Sequence, residues 1–319
     1  MKRKKYAIGI GLNLFDARAV IMQDDNKVIT EIKKNRVNIS ANETLDTLLE
    51  LIKAILLKAH KYQKGIEGIG LALGGIVDSK KGVVYWPQVP HTYISLPLRG
   101  YLEKKFKLPI FIENDASACA WAEYTVNFPK YKNLIYMFSG VGCGIIANGS
   151  LYRGRDGGAG EIFLNHQKTM RSHLGDFSFF GQWPVDLGMT KRAKELISLG
   201  KESSLIKKLS STGELSLKSI FEESRKKDKV SREVMKEAAF SLGAKVAFLI
   251  NLLNLEAVII GGGLEQGGGF FLEECTNSVK KFAFNEMRKK CKMFLSTLGA
   301  NAISLGAAKL VFKENALQG

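Results

Sequence analysis

The chain contains 319 residues, which is enough for two domains of ordinary size, although one domain is also possible. Apolar residues make up 45% and charged residues 24% of the sequence, a globular composition that excludes a disordered or fibrous chain. Lys and Arg number 47 against 31 Asp and Glu. The resulting charge of +16 favours anionic partners such as nucleotides, nucleic acid or lipid headgroups without choosing among them.

The first third of the sequence predicts an antiparallel meander followed by alternating helices and strands. Ser40 or Asn42 can cap a helix with one apolar face, and the continuous apolar run before Gly74 predicts a buried strand. The predicted elements are strands 6–12, 17–23 and 28–37, a helix to about residue 61, strand 66–73, helix 96–106, strand 109–112 and helix 116–124.

The same pattern begins again after residue 132. The elements predicted there are strands 133–138 and 143–148, helices at about 190–199, 216–226 and 231–253, strand 257–260, a helix from about 270 and a small-residue helix over 304–312. A repeated hairpin with glycine-rich turns is typical of two lobes that clamp a nucleotide, with phosphates held by backbone N–H groups. We place the lobe boundary near Asp115 and expect the last helix to pack closely on the first lobe.

The four cysteines form no C-x-x-C pair and lie among apolar residues, which predicts buried free thiols in a reducing compartment and hence a cytoplasmic protein. Residues 6–15 are apolar but are interrupted by Gly9, Gly11 and Asn13, so they predict a strand and not a signal peptide. No run reaches the roughly 18–20 apolar residues of a membrane span. We therefore expect no membrane partner.

The segment 139–144, S-G-V-G-C-G, is a candidate phosphate loop. It lies between two predicted strands, where glycines let the backbone approach a phosphate and the Ser139 hydroxyl can donate to it. A simple hairpin turn explains the same residues, and short glycine motifs recur by chance.

Other candidate site residues follow predicted strands or lie in a glycine-rich loop. Asn114 and Asp115 stand where a buried strand meets a helix, where Asp can deprotonate a hydroxyl, although both residue types are also preferred helix caps. The triplet 261–263 can admit a nucleotide base or ribose, or can mark a crowded turn. Glu161 offers a carboxylate that is either functional or merely solvated.

Several ordered segments together resemble the ROK family of repressors, open reading frames and sugar kinases, within the actin-like ATPase superfamily. The resemblance spans nearly the whole chain. The segments that carry it are 72–78 (A-L-G-G-I-V-D), 82–84 (G-V-V), 112–118 (I-E-N-D-A-S-A), 139–145, 148–154 (N-G-S-L-Y-R-G), 159–162 (A-G-E-I), 258–264 and 305–308.

The resemblance implies an α/β fold of two actin-like, ribonuclease H-like lobes with an interlobe cleft, residues 1–115 plus 301–319 forming one lobe and 116–300 the other. It implies ATP and Mg²⁺ as cofactors and a possible homodimer. It makes Asp115 the base that takes a proton from a sugar hydroxyl. The implied sugar-binding residues are Gly75, Gln88, Asn114, Asp115 and Glu161, and the implied nucleotide-binding residues are Ser139, Gly140, Gly142, Gly144, Gly262 and Gly263.

The sequence also departs from the family pattern. Residues 11–15, G-L-N-L-F, replace the D-x-G-G-T of family kinases, so the acid associated with Mg²⁺ and the phosphate-binding Thr are missing. Phe163 and Leu164 replace a Gly-His pair, and residues 165–190 contain no cysteine, so we expect no structural zinc. Only residues 1–5 precede the first hairpin, from which we expect no helix-turn-helix DNA-binding domain.

These observations favour an ATP-dependent sugar kinase that phosphorylates a hexose or N-acetylhexosamine hydroxyl, weakened at its first phosphate loop. The alternative is a non-catalytic sugar or nucleotide sensor that keeps the fold. We favour the kinase over the sensor, because the base and the second phosphate loop are present. Nucleic-acid binding is a third hypothesis and rests on charge alone.

Overall fold

The computed structural model describes residues 4–12, 16–35, 40–87, 93–140, 142–162 and 185–318. The chain divides into two compact units. Unit 1 comprises Met1–Lys132, Gly144–Gly160 and Ala300–Gly319, and unit 2 comprises Asn133–Cys143 and Glu161–Gly299. Within the described ranges, no helix is both long enough and apolar enough to cross a lipid bilayer.

The elements up to residue 132 are β1 (Tyr6–Leu12), β2 (Asp16–Gln23), β3 (Val28–Asn35), α1 (Ala41–Lys58), β4 (Ile66–Leu73), β5 (Ile76–Asp78), β6 (Val83–Pro87), β7 (Tyr93–Leu96), α2 (Leu98–Phe106), β8 (Ile110–Asn114) and α3 (Asp115–Val126). Those that follow are β9 (Leu134–Phe138), β10 (Gly142–Ala147), β11 (Ser150–Tyr152), α4 (Val185–Ser198), α5 (Leu205–Thr212), α6 (Leu217–Arg225), α7 (Lys229–Leu253), β12 (Ala257–Gly261), α8 (Gly268–Phe282), α9 (Asn285–Arg288), β13 (Lys292–Leu295) and α10 (Ala302–Gln318).

Unit 1 is built on a five-stranded sheet in the order β3-β2-β1-β4-β8. The meander β1–β3 is antiparallel, whereas β4 is parallel to both β1 and β8. Alternate residues of β1 point to opposite faces: Ile8 and Ile10 join the apolar core that includes α1, and Ala7 packs with Ala308 of α10. The sheet therefore has α1 on one face and α10 on the other.

Helix α10 lies directly against bare backbone. A Cβ atom placed on Gly9 would lie 2.0 Å from the carbonyl oxygen of Ser304, and one on Gly70 would lie 1.9 Å from that of Ala307. On the helix side, a Cβ on Gly306 would lie 1.9 Å from the carbonyl oxygen of Ala118 in α3. Glycine at these positions thus permits the close packing that the small residues of the last helix predict.

Unit 2 has β12 at its centre, parallel to β9 on one side and to β13 on the other. The long helix α7 packs against α8, and Gly243 allows the approach because a Cβ there would lie 2.5 Å from the Cβ of Ser278. Strands β10 and β11 form an antiparallel hairpin, whose residues from Gly144 onward belong to unit 1.

Short elements were missed by the sequence prediction. Strands β5, β6 and β7 form a separate antiparallel sheet, and helix α5 and strand β13 are further additions. Helix α2 begins at Leu98 and not at 96, because Tyr93–Leu96 is strand and Pro97 precedes the helix. Strands of three to five residues contain too few alternations for a period to be read.

Two differences concern boundaries. Helix α1 ends at Lys58, earlier than the predicted residue 61, because the chain tightens into a 3₁₀ turn over His60–Gly65. Helix α3 belongs to unit 1, where it packs on α10, whereas the sequence analysis placed it in the second lobe. The lobe bounds 1–115 and 116–300 stay a prediction.

We expect Gly70→Ala to lower the free energy of unfolding by about 1–3 kcal/mol or more, because its Cβ would collide with the backbone of α10. Gly100→Ala is the matched control, since no atom lies within 4 Å of a Cβ there and α2 gains a better helix former. Urea denaturation compares the two variants. Equal midpoints for both would contradict the proposed contact.

Candidate functional site

The junction of β8 and α3 holds the first group of candidate residues. Asn114 is the N-cap of α3, and its Oδ1 accepts hydrogen bonds from the backbone N–H groups of Ala116 (2.9 Å) and Ser117 (3.2 Å). Its Nδ2 donates to the carbonyl of Gly75 at 3.3 Å. The cap that the sequence analysis allowed is present, and it ties the end of β8 to the segment that follows β4.

Asp115 begins α3 beside this cap. Its Oδ1 accepts from the N–H of Ala116 at 2.8 Å, and its Oδ2 lies 3.5 Å from the position of a Cβ on Gly74. The side chain is partly exposed, and burial of its carboxyl group raises the pKa from 3.8 to about 6. A carboxylate with a pKa near neutrality can both accept and return a proton, as a general base must. The structure therefore places Gly75, Asn114 and Asp115 together in unit 1.

A second group lies in unit 2, where β9 and β12 end. Ser139 (φ 47°) and Gly140 (φ 76°) take consecutive left-handed conformations after β9. The Ser139 hydroxyl donates to the carbonyl of Gly262 at 2.5 Å, and the Ser139 N–H donates to that of Gly261 at 3.3 Å. A Cβ on Gly262 would lie 2.6 Å from the Ser139 nitrogen. The predicted phosphate and adenosine segments therefore touch each other.

Two side chains that the sequence analysis did not single out also bond to these segments. The ammonium of Lys245 in α7 donates to the carbonyl of Gly140 at 2.9 Å, and Lys245 is buried. The Glu265 carboxylate accepts from the N–H of Gly263 at 2.8 Å. Lys245 could have been found from the sequence, because it interrupts the small and apolar run 243–247, and such a run predicts a buried helix face.

The remaining predicted residues are less closely grouped. Gly142 forms an isolated antiparallel bridge with Glu161, which is exposed. Gly144 faces helix α3, because a Cβ there would lie 2.2 Å from the carbonyl oxygen of Ala116, so strand–helix packing accounts for this glycine. Gln88, predicted to bind sugar, lies outside the described residues.

The end of β1 has no room for an acidic side chain. A Cβ on Gly11 would lie 2.5 Å from Cγ2 of Ile303 and 2.9 Å from the backbone nitrogen of Ser304. In the part of the chain that the structure describes, no three His, Cys, Asp or Glu side chains form a metal-binding group, and His166 and His173 lie outside that part.

Beside the first group is a charged cluster that the sequence analysis missed. The guanidinium of Arg153 contacts the carboxylates of Glu113 at 2.6 Å and Glu314 at 2.7 Å. Burial raises the pKa of Glu113, and the ion pair with Arg153 opposes this shift. The cluster links β8, the segment after β11 and α10, so it holds the strand that ends at Asn114.

A sequence profile described as the ROK family matches residues 6–314. The xylose repressor of Caldicellulosiruptor bescii is 29% identical over 315 residues, covering 96% of this chain and 78% of the repressor. The glucokinase of Halalkalibacterium halodurans is 30% identical over 266 residues, covering 81% of this chain and 80% of the enzyme.

Among solved structures, a ROK family transcriptional regulator described as a homologue of the E. coli MLC protein is similar over 98% of this chain and 80% of its own. Its TM-score is 0.80 and its sequence identity is 23%. Relatives of this chain thus carry the names of both repressors and kinases.

We expect Arg153→Met to lower the free energy of unfolding by about 3–5 kcal/mol, because it leaves the Glu113 carboxylate buried without its cation. Arg155→Met is the matched control: its side chain is 94% exposed, and we expect a change within about 0.5 kcal/mol. Chemical denaturation measures both. A similar small loss for the two variants would show that the buried pair does not stabilise β8.

We expect Asp115→Asn to raise the free energy of unfolding at pH 7 by up to about 3 kcal/mol. The pKa of Asp115 is about 6 in the fold and 3.8 ordinarily, so the cost of ionising it appears as the pH rises from about 4 to 6 and is complete above 6. Below about pH 4 the two proteins should be equally stable.

Denaturation at pH 4 and pH 8 measures this difference. The control is Asp46→Asn on the exposed face of α1, which should change stability by less than about 0.5 kcal/mol at either pH. A gain for Asp115→Asn that is the same at both pH values would exclude ionisation as its cause.

Proposed function

Because the chain belongs to the ROK family, we propose that it binds a sugar and phosphorylates one hydroxyl of a hexose or N-acetylhexosamine with ATP. The observation that carries this proposal is Asp115, a carboxylate at a helix N-terminus whose pKa is raised to about 6 by burial. A group with this pKa is largely ionised at pH 7 yet accepts a proton readily. It is suited to activate a sugar hydroxyl.

In the proposed reaction the sugar hydroxyl oxygen forms a bond to the γ-phosphorus while the bond from that phosphorus to the bridging oxygen of ADP breaks. The hydroxyl proton passes to Asp115, and a sugar phosphate and ADP leave. Asn114 uses one amide N–H and its side-chain oxygen in hydrogen bonds within the fold. Its second amide N–H, together with the backbone at Gly75, would orient further hydroxyls of the sugar. Glu161 would accept from another hydroxyl.

Unit 2 would hold ATP. The backbone at Ser139, Gly140 and Gly142 would bind the phosphates, and Gly262 with Gly263 would lie near adenosine, since glycines let a ligand approach the main chain closely. Gly144 is less suited to this role because its Cα faces helix α3.

The resemblance puts Gly11 in the place of the acid that assists Mg²⁺ in family kinases, and Ile303 fills the space that a carboxylate at Gly11 would need. The side chain of Asp16, the next acid in the sequence, lies outside what the structure describes. Mg²⁺ would neutralise phosphate charge when bound together with the nucleotide. An acidic side chain introduced at Gly11 would collide with Ile303 and Ser304 of α10.

A non-catalytic sugar sensor is the second candidate, and the packing around Gly11 favours it. A chain without the first-strand acid loses charge stabilisation at the transition state, while sugar binding at Asn114 and Asp115 does not depend on that acid. The name of the Caldicellulosiruptor bescii relative, a xylose repressor, supports the same reading.

The deciding experiment measures ADP release with Mg²⁺, ATP and a panel of hexoses, pentoses and N-acetylhexosamines, together with calorimetric sugar binding. For a kinase we expect sugar-dependent turnover that Asp115→Asn lowers by about 10²–10⁴-fold while sugar binding survives. The wild-type rate should rise with pH through about 6 and then level off, because the base must be ionised.

Asp46→Asn, an exposed carboxylate on α1, is the control and should keep full turnover. Sugar binding without turnover in the wild type would leave the sensor as the function. Turnover that Asp115→Asn does not change would contradict the role of Asp115. The homodimer and the cytoplasmic location stay predictions from the sequence.

A further inference from the structure

Lys245 is a buried lysine whose ammonium bonds to a main-chain oxygen. It lies in the middle of α7 with 3% of its surface exposed, and its Nζ donates to the carbonyl of Gly140 at 2.9 Å. Burial lowers the pKa of Lys245, and no carboxylate in the described part of the chain contributes to the shift. Its charge is therefore not neutralised by an ion pair there.

An ammonium buried in this way destabilises the protein unless something offsets its lost hydration. One carbonyl satisfies one of its three N–H donors. An aliphatic side chain of similar length would avoid this cost in the small and apolar segment 243–247. A bound anion close to the Ser139–Gly140 turn would offset it.

Ser139 and Gly140 form a tight turn with consecutive positive φ values of 47° and 76°, and Gly262, with φ of 69°, lies against it. Glycine at 140 lets a ligand approach the main chain closely. The ammonium of Lys245 holds the Gly140 carbonyl and so places its positive charge directly beside this turn.

We propose that Lys245 is a positioning residue of a phosphate site at the Ser139–Gly140 turn, where it fixes the Gly140 peptide and supplies positive charge for the phosphates of a nucleoside di- or triphosphate. This inference rests on the proposed use of ATP by unit 2.

The test compares binding of ADP and of adenosine to the full chain, with EDTA present and the ionic strength held constant. Both ligands carry the same nucleoside, so the ratio of their affinities reports the phosphate site. We expect the wild type to favour ADP, and Lys245→Met to lower this preference at least tenfold while adenosine binding changes little.

Lys245→Gln separates charge from position, because it removes the charge and can keep a donor for Gly140. We expect it to lose less of the ADP preference than Lys245→Met does. Lys309→Met is the matched control: Lys309 is another buried lysine, in unit 1, and bonds to Asn26. This variant should keep the wild-type ratio. Competition of inorganic pyrophosphate with ADP on the wild type gives a readout that needs no variant to fold.

An unchanged ratio in Lys245→Met, an equal loss of ADP and adenosine binding, or a wild type that does not favour ADP would each overturn the proposal. Failure of pyrophosphate to compete would also overturn it. These outcomes are distinct from failure of the kinase, which is seen as sugar binding without turnover. If the wild type prefers ADP through Lys245 but releases no ADP when given ATP and sugar, the phosphate site is supported and the kinase function is rejected.

Discussion

The direct contact of α10 with the backbone of β1, β4 and α3 is the constraint on which unit 1 depends. Gly9, Gly70 and Gly306 lack the Cβ atoms that would collide with carbonyl oxygens across this interface. Dispersion attraction weakens when a gap of half an ångström opens between packed atoms. Side chains at these glycine positions would hold α10 away from the neighbouring backbone, and these contacts would be lost. The same contact orients α3 and, with it, the first turn that carries Asp115.

This constraint has a chemical consequence at Gly11. The position faces Ile303 and Ser304 of α10, so the packing that holds the helix in place fills the space of an acidic side chain. The chain thus combines a carboxyl group of raised pKa at the start of α3 with a first strand that carries no acid. In the proposed kinase, the backbone of unit 2 and Lys245 would have to stabilise the phosphate charge. Whether this stabilisation suffices for phosphoryl transfer is what separates a kinase from a sensor.

Two kinds of desolvated ionisable group lie near the candidate site. Glu113 and Arg153 satisfy each other, so their burial holds β8 in place and breaking the pair is costly. Asp115 and Lys245 bond to the main chain, and burial shifts the pKa of each toward neutrality. Ionisable groups that a fold desolvates without an opposite charge are candidates for function, because a ligand or a reacting proton can offset their cost.

Much of the fold and part of the site were determined by the sequence. Strands β1 and β4 were predicted with their observed bounds, because seven or eight residues suffice to show an apolar pattern. The junction at Asn114 and Asp115 was predictable because a buried strand, an Asn cap and a helix are neighbours in the chain. Only the tertiary structure decided that Gly144 serves packing, that Gly11 faces Ile303, and that Lys245 reaches Gly140, 105 residues away. Local pattern reports which face of an element a residue occupies, whereas the atoms it meets depend on packing between elements distant in sequence.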